Sequence, residues 1–150
     1  MALQLLAVIV LGLMCGSELN VAAFGHPTLN RQPLEAHILV RSSFAALLGR
    51  VMPFWMSGST ILNLLLLLPF AHLNAFAWRL AAIAFAIQIL AVLFSLAGPV
   101  PINNRIARWT PAALPSDWRD QEHRWDLYHW SRTCGLVAAF ALLALSLGAN

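Results

Sequence analysis

Charge is what this sequence has least of. Only 10% of its 150 residues are Asp, Glu, Lys or Arg, against roughly 25% in a soluble globular domain. Lysine is absent, so all nine basic residues are arginine. A chain this poor in charge is excluded from the soluble globular class, and its net charge of +3 needs no nucleic acid to explain it. Cysteine is scarce too. Cys15 and Cys134 stand in no metal-binding spacing, so no thiolate centre and no disulfide is expected, and both read as small packing residues. No HxH or HxxxH ties two histidines on one helix, which argues against a dedicated metal site. Internal repeats, low-complexity tracts and linkers are also missing, so residues 1–150 read as one domain.

What is present is apolar: 60% of the residues are hydrophobic and the mean hydropathy is +0.73. Four runs, at about 2–24, 48–69, 75–97 and 125–147, match the roughly 17 to 25 residues that cross about 30 Å of hydrocarbon. The runs are continuous rather than alternating, and backbone groups in lipid must be satisfied internally, so they predict helices and not barrel strands. The expected fold is an all-α integral membrane four-helix bundle. The first run has no Lys or Arg ahead of it and no small-x-small site closing it, so it is expected to be retained rather than cleaved. "GLMCG" carries the bulky Met14 where a lipoprotein cysteine is normally preceded by a small residue. Gly12 and Gly16 form a GxxxG that permits close approach of another helix, and "SGS" at Ser57 to Ser59 can do the same.

The arginines are lopsided. Arg31, Arg41 and Arg50 gather between the first two spans, and Arg105, Arg108, Arg119 and Arg124 between the last two. Only Arg79 falls near the other side, where "PFAHLN" turns the second span into the third. By the positive-inside tendency the two long loops are cytoplasmic and both termini face outward, in what reads as a bacterial inner-membrane protein. Polar residues collect at the cytoplasmic level: Glu18 and Asn20 near the end of the first span, Ser57, Ser59 and Asn63 in the first half of the second, Asn103 and Asn104 after Pro99 and Pro101 stop the third, and His129 and Arg132 in the first turns of the fourth. The other half of the bundle is mostly Leu and Ala, with Gln88 as the main exception. The pattern predicts a pocket entered from the cytoplasm or the inner leaflet.

Each candidate has a plain reading beside its functional one. Glu18 is an ionisable group inside a span and needs an interior partner, for which Arg132 is the natural choice. The pair either fixes the first helix against the fourth or supplies a functional carboxylate, as a base or a metal ligand. Trp125, His129 and Arg132 share one helical face, while Tyr128 and Trp130 point elsewhere as interface aromatics. His129 is a structural hydrogen-bonding group or a catalytic one. Asn103 and Asn104 either cap the broken backbone or face the pocket. "RQPLEAHILVRSSFAALLGR" reads as a short interfacial helix started by Pro33, with His37 and Arg41 four apart. Trp118, Arg119, Glu122 and His123 read as an amphipathic lead into the fourth helix at headgroup level. A metal held by Glu18, His129 and His26 or His37 is a minority alternative.

"SELNVAAFGHPTL" closing the first helix, "PINN" after the third and "RWDLYHWSRT" opening the fourth resemble the anthrone oxygenase-like family of small four-helix membrane proteins. The resemblance covers nearly the whole chain and is strongest in its C-terminal third. The positions matching the family pattern are Glu18, Pro27, Asn103, Asn104, Trp125, His129 and Arg132, whereas "RQPLEAHILVRSSF" follows a subgroup pattern to which no role is carried over. The resemblance implies oxidation of an anthrone or related polycyclic phenol by dioxygen, with no obligatory cofactor and a hydrophobic aromatic molecule as partner. On that reading His129 or Glu18 is the base, Asn103, Asn104 and Arg132 bind substrate or the developing oxyanion, and Trp125 is an aromatic wall. The rival expectation is a non-enzymatic membrane bundle that binds a lipid or hydrophobic ligand or supports a partner protein.

Overall fold

The computed structural model describes residues 1–149, and four long helices carry most of them. They are α1 (Ala2–Asn20), α3 (Leu34–Leu66), α4 (Ala75–Ala97) and α6 (Trp118–Gly148), with two short helices between, α2 (His26–Leu29) and α5 (Pro99–Ile106). Together with the continuous stretch Ala2–Leu29, three of these give four segments long and apolar enough to span a membrane. The protein is an all-α integral membrane bundle.

Local chemistry sets the boundaries. Pro33, extended at φ −51° and ψ 144°, precedes α3, and Glu35 in the first turn faces the positive end of the helix dipole. Asn74 caps α4 by accepting from the backbone N–H groups of Phe76 at 3.0 Å and Ala77 at 2.9 Å. Gly98 ends α4 in a non-helical conformation, and Pro99 at once starts α5, where a missing N–H costs nothing.

Two differences from the expected pattern matter. The first helix does not end at "GHP": a π turn at Val21–Gly25 leads directly into α2. The segment expected as a separate interfacial helix is the N-terminal part of α3, continuous with the second span. Its stripe of Ile38, Arg41 and Ala45 is buried against the bundle, so it docks on protein rather than lying on the membrane. At 1.5 Å per residue, the 33 residues of α3 reach about 50 Å. That exceeds the roughly 30 Å of hydrocarbon, so this end of the bundle projects from the membrane. Ser59 and Asn63 accordingly lie in the second half of the helix, deeper than the sequence suggested.

The core has two parts. At the arginine-poor end, Leu11, Met14, Met56, Leu66, Leu136 and Leu143 pack around Ala81, Ala84 and Ala139, whose small side chains let α4 and α6 lie close together. Gly12 serves the same end, since a Cβ there would sit 2.7 Å from the Phe140 ring, whereas a Cβ at Gly16 would meet nothing within 4 Å. At the arginine-rich end, Val21, Ile38, Ala45, Ile106, Trp109 and Trp125 form a second cluster. Polar side chains also meet inside the bundle: Ser59 donates to Gln88 Oε1 at 3.3 Å near its middle, and Gln4 to Ser146 Oγ at 3.1 Å at the arginine-poor end.

Candidate functional site

Trp125, His129 and Arg132 repeat at helical spacing on α6 and turn toward the end of α1. Arg132 reaches across to Glu18: one of its terminal nitrogens, Nη2, forms a short ion pair with Oε2 of the carboxylate. The same nitrogen lies 3.1 Å from His129 Nδ1, and Nη1 donates to Ser95 Oγ on α4 at 3.3 Å. His129 Nε2 donates to the backbone carbonyl of Glu18 at 3.0 Å. A guanidinium can only donate, so the imidazole nitrogen that receives it is the unprotonated one. Both nitrogens of His129 are therefore engaged within the protein. On Glu18 the contacts fall on Oε2, while among the described residues no hydrogen bond falls on Oε1.

The carboxylate and the imidazole are 3% and 2% exposed. At that burial an ion pair persists only with good geometry and further hydrogen bonds, which Ser95 and the Glu18 carbonyl provide here. Trp125 stacks on His129 with ring centroids 4.6 Å apart and planes 14° from parallel, which fixes the imidazole in rotation.

These side chains border a cavity of about 300 Å³, within the range of small-molecule sites. Glu18, Asn103, Asn104, Trp125, His129 and Arg132 all line it, and Met52, Met56, Leu48 and Val92 supply apolar wall. Two donors on residues of this wall, Trp125 Nε1 and Arg132 Nε, are buried and have no partner among the described residues. Asn103 does not cap broken backbone: its amide donates to the Ala45 carbonyl of α3 at 2.9 Å and so ties α5 to α3.

Behind Trp125 lies a second set of charges. Arg41 sits over the indole, its Cζ 5.0 Å from the ring centroid. It bonds Asp126 at 2.6 Å through Nη2 and approaches Glu122 to 3.4 Å through Nε. His26 Nδ1 is 2.9 Å from the same Asp126 oxygen, and His37 Nε2 is 2.7 Å from Glu122. Glu122 is buried, which corrects its expected place at the headgroup level. A solvent-facing lead would have left the buried His37 without its carboxylate and Arg41 with Asp126 alone. The signal lies in the sequence, because Glu122 and Asp126 four apart on one helix match His37 and Arg41 four apart on another, but spacing within each helix does not say that the two pairs face each other.

His26 reaches this set because of the π turn. Eight residues after Glu18, an unbroken α-helix would turn it about 80° away from that face, and the wider turn takes up the offset. Neither His26 nor His37 lines the cavity, since each faces its carboxylate instead. Glu18 and His129 do meet, with Nδ1 3.2 Å from Oε2. Among the described residues no three His, Cys, Asp or Glu side chains are grouped to hold a metal ion. Cys15 is buried and Cys134 exposed, both free.

Comparison with known proteins gives one family. No curated protein and no solved structure matches the chain. The model of the anthrone oxygenase family matches residues 40–142, a stretch that holds Asn103, Asn104, Trp125, His129 and Arg132 and begins after Glu18. With more than half of its length covered, the chain belongs to the anthrone oxygenase family.

Proposed function

We propose that the protein is a membrane-embedded oxygenase that converts an anthrone or a related polycyclic phenol to its quinone with dioxygen. The observation that carries this reading is a buried carboxylate, Glu18, with one oxygen held by Arg132 and the other without a hydrogen-bond partner among the described residues, on the wall of a largely apolar cavity. In the proposed sequence Glu18 takes a proton from the central methylene of the substrate. The resulting carbanion adds dioxygen, the peroxide oxygen takes up a proton, and loss of water leaves the second carbonyl. Anthrone and dioxygen thus become quinone and water, with no bound cofactor in the balance.

As the proton leaves, negative charge gathers on the ring oxygens, where unpaired buried donors are most effective. Trp125 Nε1 and Arg132 Nε are such donors, and the amide of Asn104 lies on the same wall. Asn103 acts by holding α5 in place. His129 positions the base rather than serving as one, because both its nitrogens are occupied. Positioned proton abstraction is worth about a hundredfold to ten-thousandfold in rate.

Orientation belongs to the same proposal: both termini outside, the arginine-rich loops in the cytoplasm, in a bacterial inner membrane. The test is oxygen uptake by detergent-purified protein with a panel of anthrones and hydroquinones, together with elemental analysis. Uptake that is unchanged in a folded Glu18→Gln variant overturns the mechanism. Absence of turnover with every substrate, alongside binding of lipid or another hydrophobic molecule, favours the non-catalytic bundle.

A further inference from the structure

The cavity wall is not closed all round, and its exposed residues fall in two lines. Gly49, Pro53 and Ser57 repeat every four residues along α3. Leu96, Val100 and Asn104 repeat every four residues from the end of α4 through α5, exposed at both ends and half-buried at Val100. Eight residues of continuous helix is about 12 Å, so the α3 line gives a slot of about that length along the seam between α3 and α4–α5. Counted back from the end of α3 at Leu66, Ser57 lies about 14 Å and Gly49 about 26 Å along the axis. Within a slab of about 30 Å that is the half toward the arginine-rich end. The slot therefore faces lipid over most of its length.

Its α3 edge is narrow and polar in a specific way. Gly49 has no side chain, and a Cβ there would lie 2.9 Å from Asn103 Nδ2. Pro53 has no N–H to return to the Gly49 carbonyl, so that carbonyl lacks its helical donor. Inside, the Trp125 and Arg132 N–H groups are likewise unpaired.

We infer that this slot is a side portal through which a flat hydroxylated aromatic molecule dissolved in the bilayer enters edge-on, its hydroxyl received by the Gly49 carbonyl at the threshold. The inference rests on the cavity being the ligand site proposed above. It adds the route and a binding group on the backbone that no side chain reveals.

Nitroxide labels report on both route and blockage. With Cys15 and Cys134 replaced by Ala, single variants Ser57→Cys, Leu96→Cys and Ile61→Cys are labelled in detergent and reconstituted in vesicles of phosphatidylethanolamine and phosphatidylglycerol. Ile61 is exposed on α3 one turn beyond the slot and does not line the cavity. The expected result is that labels at 57 and 96 relax strongly with dioxygen and weakly with a water-soluble nickel chelate. A nickel-dominated response at both overturns the portal. Labelled Ser57→Cys is then expected to lose at least about tenfold in anthrone-dependent oxygen uptake relative to its unlabelled aliquot, with labelled Ile61→Cys within about twofold of its own. Equal losses at 57 and 61, or none at 57, overturn the portal while leaving the catalytic reading intact. If unlabelled protein neither binds nor turns over anthrone, the catalytic reading fails, and the relaxation data still decide whether the slot opens to lipid.

Discussion

Arg132 holds two roles that ordinary substitution would confuse, support of a buried carboxylate and donation to a ligand. Replacing it by Met leaves Glu18 charged and unpaired at 3% exposure, a loss of about 3 to 5 kcal/mol. Combining Arg132→Met with Glu18→Gln is expected to return most of that stability without restoring turnover. Chemical denaturation of the four species in one detergent measures the coupling. Gly49→Ala is a finer probe. Its Cβ would lie 2.9 Å from the Asn103 amide, so the hydrogen bond to Ala45 gives way at a cost of about 1 kcal/mol. Ligand affinity is expected to fall more than that figure suggests, because α5 loosens beside the cavity, and titration calorimetry with anthrone checks it.

At the scale of elements, proline is used to shape α3 rather than to end it. Pro53 lies inside the helix and on the cavity wall. Pro53→Ala returns an N–H to the Gly49 carbonyl and is expected to stabilise the helix, by up to about 3 kcal/mol. The same change removes the free carbonyl, so a rise in unfolding temperature should accompany a fall in oxygen uptake. The N-terminal part of α3 is held by charge. Arg41 at 2% exposure spans Glu122 and Asp126, and Arg41→Gln leaves the buried Glu122 and the half-buried Asp126 facing two histidines. Loss of hydrogen-exchange protection is expected in α2 and residues 34–45, with the outer halves of α4 and α6 unaffected.

At the scale of the molecule, the bundle is divided by depth. Leu and Ala close one end, and the other gathers the paired charges, the second core cluster and the cavity. The arginine asymmetry is the basis of the proposed orientation. Fusing alkaline phosphatase to either terminus is expected to give active reporter, and fusing it within residues 107–117 inactive reporter, when the long loops are cytoplasmic.

The sequence by itself determined the class, the four apolar helices and the partners of the sharpest residues. Composition and run length act locally, and an ionisable group inside a span has few places to find a counter-charge, so the sequence alone pairs Glu18 with Arg132. The face of Trp125, His129 and Arg132 was equally legible, because helical period alone aligns it. Tertiary structure decided what depended on phase and on distance across the bundle. The π turn that swings His26 toward α6 has no signature in residue type. The fusion of the interfacial segment with α3 follows from Arg41 and His37 finding carboxylates 85 residues away, a pairing that local propensity does not register. Only assembled packing leaves one oxygen of Glu18 free, occupies both nitrogens of His129, and opens the wall between α3 and α5, because each is fixed by neighbours remote in the chain.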